Sequence, residues 1–142
     1  MSVAVVDGVI YVIGGDVKVG PETYSTETST SVIAYDPTTD TWTTRASLPK
    51  PVKSASVGVV NGRIYVAGGT QFAWTGPDTY VTEIWTPYVY AYDPQTDQWS
   101  IQSPMRTGRY DATAAGLDGV LYVIGGVGFR GAMLGTVEAL RP

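Results

Sequence analysis

Asp7–Gly15 reads DGVIYVIGG, and the chain writes the phrase twice more, as NGRIYVAGG over Asn61–Gly69 and DGVLYVIGG over Asp118–Gly126. Each copy opens on Asp-Gly or Asn-Gly, which accept positive φ at both central positions of a two-residue type I′ hairpin turn. The segments leading into those turns, SVAVV, SASVGVV and DATAAGL, read as strands. The runs that follow them, VIYVI, RIYVA and VLYVI, are apolar at nearly every position. That pattern predicts a strand covered on both faces. The closing Gly pairs recur at spacings of 54 and 57 residues, and a period of that length signals stacked structural repeats.

A second phrase completes the unit. VIAYDPTTDTW at 32–42 returns as VYAYDPQTDQW at 89–99, and a third copy begins as VEALRP at 137–142. Each full copy reads as a third strand, a turn in which Pro pre-sets φ, and a fourth strand opened by Trp42 or Trp99. Four antiparallel strands per unit of about 50 residues describe a propeller blade.

The order Gly14-Gly15, Tyr35-Asp36-Pro37, Trp42, repeated as Gly68-Gly69, Tyr92-Asp93-Pro94, Trp99 and begun again at Gly125-Gly126, closely resembles the kelch motif over essentially the whole chain. The resemblance implies an all-β fold of about three kelch-type β-propeller blades. Blade 1 is placed at about 1–49, blade 2 at about 50–105 and blade 3 at about 106–142, the last without its fourth strand. The Gly pairs are expected to permit tight backbone at the end of the second strand. The Tyr and Trp residues are expected to pack between blades.

Propellers close into rings of about four to eight blades, whereas three blades leave two apolar faces bare, which monomers rarely tolerate. Either two copies form a dimer that completes a six-bladed ring, or flanking blades of a longer chain cover those faces.

Composition agrees and excludes much chemistry. Seventeen Gly, nine Pro, ten Tyr and four Trp suit turns and pleated surfaces rather than long helices. Cys and His are both absent, which removes Ser-His-Asp and Cys-His catalysis, disulfides and the usual transition-metal ligands. No cofactor or metal is expected. The net charge of −4 argues against nucleic acid as a partner, and no apolar run is long enough for a membrane helix. Met1–Gly15 lacks the marks of a secretory leader, so the chain reads as soluble and, by default, cytoplasmic.

Candidate functional residues fall on the end of the blades reached on leaving the second strand. That end collects 16–31, 70–88 and 127–135, with the inter-blade links 47–54 and 104–110. GPETYSTE at 20–27 is echoed by GPDTYVTE at 76–83. Duplication of a blade with its loop explains the echo, and so does a pair of equivalent binding arms. Aromatic side chains on loops make interface anchors, which singles out Tyr24, Phe72, Trp74, Tyr80 and Trp85 beside Glu27 and Glu83. Lys18, Lys50, Lys53, Arg106, Arg109 and Arg130 share this end, whereas Asp7, Asp36, Asp40, Asp93, Asp97 and Asp118 occupy the turns at the other. Arg109 precedes a first strand and is expected to tie blades together; Arg106 and Arg130 are candidates for an anionic group.

Kelch propellers act mostly as rigid platforms that grip a protein partner, and the resemblance implies that role first. Some kelch-like propellers are enzymes. The copper site of galactose oxidase needs His and a Tyr–Cys crosslink, which this sequence cannot build. A site resembling that of the sialic-acid mutarotases would need only Arg and carboxylates, which Arg106, Arg130, Glu27 and Glu83 supply. An engineered or truncated propeller fragment, with no role beyond assembly, is the remaining reading, although the unequal loops favour a natural sequence.

Overall fold

The computed structural model describes residues 1–18, 26–73 and 82–142. In chain order, β1 (Ser2–Val6) and β2 (Val9–Ile13) form a hairpin, and β3 (Asp16–Lys18) pairs with β4 (Thr26–Thr28). Then β5 (Val32–Asp36) and β6 (Thr41–Arg45) complete a four-stranded antiparallel sheet of order β1-β2-β5-β6. The second unit repeats this plan with β7 (Ser56–Val60), β8 (Arg63–Ala67), β9 (Thr70–Ala73), β10 (Thr82–Trp85), β11 (Val89–Asp93) and β12 (Gln98–Gln102). Its main sheet has the order β7-β8-β11-β12, with β9-β10 as a separate hairpin. The third sheet holds β13 (Thr113–Leu117), β14 (Val120–Ile124) and β15 (Val137–Leu140), with a 3₁₀ turn at Phe129–Gly131 between the last two. These are kelch-type propeller blades. Among the described residues no helix is long and apolar enough to cross a membrane.

The turns form as their residues dictate. Asp7, Asn61 and Asp118 each take φ of 50°, and Gly8, Gly62 and Gly119 follow at 79°, 75° and 73°, both central residues being left-handed as type I′ requires. The segments 16–31 and 70–88, read from sequence as open loops, instead carry the β3–β4 and β9–β10 hairpins.

Two apolar layers hold the blades face to face. One joins Ala4, Val6, Tyr11 and Ile13 of the first blade to Ile64, Val66, Tyr90 and Tyr92 of the second. The other joins Val60, Tyr65, Val89 and Ala91 to Leu121 and Val123. Burying each such side chain contributes roughly 1.5–3 kcal/mol. Only β8 is covered as the all-apolar pattern predicts, being buried at every position after Arg63. In β2 burial alternates, and Ile124 at the end of β14 is exposed. Each of these strands has a neighbouring blade on one side only, so the expectation of double burial is corrected for β2 and β14.

The far faces of the outer blades are therefore bare. Val3, Val5, Ile33 and Trp42 are exposed on the first blade, and Leu117, Ile124 and Val137 on the third. The expected packing of both tryptophans between blades is corrected for Trp42, which is 60% exposed because no blade stands against it.

Candidate functional site

The two copies of the Tyr-Asp-Pro…Asp-x-Trp phrase show what a neighbouring blade adds. In each, Tyr pairs across the sheet with Trp, as Tyr35 with Trp42 and Tyr92 with Trp99. The ring centroids lie 4.8 and 5.0 Å apart. Each Tyr hydroxyl donates to the turn Asp, Tyr35 to Asp40 at 2.8 Å and Tyr92 to Asp97 at 2.6 Å. In the second blade Asp97 Oδ1 also accepts the Ala46 N–H at 2.9 Å, while the Trp99 indole N–H donates to the Ala46 carbonyl at 2.8 Å. Asp97 and Trp99 thus clamp both backbone groups of the residue that follows β6. Tyr92 is fully buried and meets Tyr11 edge to face at 5.8 Å. Burial, then the hydrogen bond to Asp97, raises the Tyr92 phenol above its ordinary range, and the Tyr92 hydroxyl with the Ala46 N–H holds the Asp97 carboxyl below its own.

The Gly pairs occupy the opposite end. Gly68 and Gly69 adopt φ of 70° and 90°, where a Cβ would stand 2.3 Å from the Arg109 carbonyl oxygen and 2.5 Å from Val52 Cγ2. Both the backbone twist and the close approach of the links demand glycine. The Gly69 N–H donates to the Arg109 carbonyl at 2.7 Å. The same arginine is 1% exposed, and its guanidinium donates to the Gly125 and Thr136 carbonyls and pairs with Glu138 at 2.6 Å. Arg109 therefore joins blades 2 and 3 and has no donor pointed at solvent for a ligand.

Of the candidate binding residues, the structure brings Trp85 and Arg130 together through Phe129. Trp85 meets Phe129 edge to face at 5.5 Å, and the Arg130 guanidinium carbon lies 5.1 Å from the centre of the Phe129 ring. Arg130 sits at φ 54°, and Phe129 and Met133 are 64% and 82% exposed. The result is an apolar, cationic knob at the loop end. Sequence reasoning missed Phe129 and Met133; their place in the 127–135 loop beside Arg130 was the available signal. Glu27 lies opposite Val17 in the first hairpin, and Glu83 opposite Phe72 in the second. Tyr24, Trp74 and Tyr80 lie outside the described residues.

Arg106 stands apart from this cluster. Its backbone N–H donates to Glu138 at 2.6 Å, and the residue lines a cavity of about 460 Å3 with Tyr65, Ser103, Leu140 and Arg141, a lining that does not include Arg130. Among the described residues no group of three His, Cys, Asp or Glu side chains converges to hold a metal ion.

The Attractin/LZTR1 beta-propeller family model matches residues 2–137. The human Kelch repeat and BTB domain-containing protein 12 is 32% identical over 129 residues, 91% of this chain and 20% of the relative. The Kelch-like protein terF of Aspergillus terreus is 36% identical over 127 residues, 88% of this chain and 27% of the relative. The solved structure of YjhT aligns with 99% of this chain and 50% of its own at a TM-score of 0.69 and 21% identity, a likeness of fold. The chain thus spans about one fifth of the first relatives it matches and half of that solved chain.

Proposed function

The chain belongs to the kelch-repeat β-propeller family, and from that premise we propose that it is a protein-interaction module, without chemistry of its own, that presents its loop end to a partner. The observation that carries this reading is the exposed knob of Trp85, Phe129, Arg130 and Met133. Aromatic, Met and Arg side chains are enriched at interface centres, where a few such anchors supply most of the affinity. They project here from an end braced by glycine corners and a buried Arg109. Tyr24, Glu27, Phe72, Trp74, Tyr80 and Glu83 join the same proposed surface by their place in the chain. The test is affinity capture with the parent chain, a Phe129→Ser/Arg130→Glu variant and a control changed at the opposite end, Thr39→Lys. The loop-end variant is expected to lose the partner that parent and control recover, with unchanged circular dichroism. Equal recovery by all three would count against this surface.

Assembly belongs to the same proposal. The bare face of the first blade carries Val3, Val5 and Ile33, and that of the third Leu117, Ile124 and Val137. Val57 and Val59 stand where Val3 and Val5 do one repeat earlier, and they pack against the first blade. Val60 and Val89 stand where Leu117 and Val137 do, and they pack against the third. The two bare faces are thus of the mating kinds, and a second copy of residues 1–142 supplies a complement to each.

A further inference from the structure

β6 and β12 cover the outer edges of β5 and β11, but among the described residues no strand covers β15. Beside that edge lies the 460 Å3 cavity. One blade earlier, the corresponding space is filled. Trp99 sits opposite Tyr92, and the Asp97–Trp99 clamp closes on Ala46. The repeat places Leu140 where Tyr92 stands and Ser103 where Ala46 stands, each the residue after a fourth strand. The links confirm the equivalence: Leu48 N–H donates to the Thr30 carbonyl and Met105 N–H to the Pro87 carbonyl, both at 2.8 Å. Ala46 is half-buried under its clamp, whereas Ser103 is exposed at the rim of the cavity.

We propose that the β15 edge and this cavity form a binding site for an extended segment of another polypeptide that carries Asp-x-Trp. The segment adds to β15 as an antiparallel strand, main-chain hydrogen bonds supplying affinity and the cavity supplying selectivity. Its indole lies over Leu140 and donates to the Ser103 carbonyl, and its Asp accepts the Ser103 N–H. Charge favours an acidic strand. Arg106 and Arg141 line the cavity, and the carboxylate on that wall, Glu138, is already held by the Arg109 side chain and the Arg106 and Thr107 N–H groups. This site is separate from the loop-end knob and does not depend on it.

The probe is a labelled peptide copying residues 93–102, DPQTDQWSIQ, titrated with the full chain by fluorescence anisotropy. Hydrogen exchange then maps the bound state. Saturable binding is expected, with new protection at Val137–Leu140 and Ser103. The peptide with Trp99→Ala is expected to bind at least roughly tenfold more weakly, the effect of losing a central aromatic anchor, and Asp97→Ala to weaken it as well. All the changes sit in the peptide, so the fold of the chain is untouched. No saturation at millimolar peptide, equal affinity of the Trp99→Ala peptide, or protection confined to other strands would each overturn the proposal.

Discussion

Trp99→Ala and Trp42→Ala make the same change at the same place in two copies of one motif, and the structure requires them to differ. Trp99 is half-buried and its indole N–H donates to the Ala46 carbonyl at 2.8 Å; Trp42 is 60% exposed and packs only on Tyr35. Truncating a fully buried Trp costs about 3–5 kcal/mol, and partial burial brings Trp99 to about 2–3 kcal/mol. Within that, the lost hydrogen bond contributes about 1 kcal/mol. Trp42 lacks the second blade, so its truncation should cost no more than about 0.5 kcal/mol, the range of surface changes. The difference of about 2 kcal/mol corresponds to a Tm lower by roughly 6 °C for a chain of this size. Thermal unfolding of dilute protein followed by far-ultraviolet circular dichroism reads it directly, because tryptophan emission would change with the substitutions themselves. Equal losses in the two variants, or a larger one for Trp42→Ala, would refute the view that the motif stabilises only against a neighbouring blade.

The Tyr92–Asp97 pair sets a pH window. The Asp97 pKa is lowered from 3.8, so its stabilisation is full above the unfolded value and is lost as pH falls through the folded one; the Tyr92 pKa is raised from 10.0, so its part is full below that value and lost as pH rises through the folded one. Urea midpoints should therefore hold between about pH 5 and 9 and fall on both sides, with a shallower acid limb in Asp97→Asn; an unchanged acid limb would remove Asp97 from the account. For assembly, light scattering should give the mass of two chains for the parent and one for Val5→Asp or Leu117→Asp. A parent mass of one chain at high concentration would contradict the mating of the bare faces.

Much of this molecule was legible one residue at a time. Asp-Gly and Asn-Gly announced the hairpins because only residues tolerant of left-handed backbone fit a type I′ turn. The apolar β8 run announced its double cover, and the motif order gave the blade. Site residues were harder to find. Arg106 and Arg130 looked equivalent in the sequence, yet one lines the cavity along β15 and the other caps an aromatic knob. Phe129 and Met133 carried no repeat signal, because their loop is the part of the unit that is not copied.

Periodicity and turn chemistry are local properties, so the sequence by itself determined strand order, hairpin type and the glycine corners. Trp42 and Trp99 have near-identical neighbours along the chain, so nothing local distinguishes them. Only the tertiary structure decided that one closes on Ala46 and the other faces outward, and that Ser103 stands at the rim of an open cavity. Those outcomes depend on which blade stands next in space, and the free energy of a clamp exists only where a second backbone arrives to fill it.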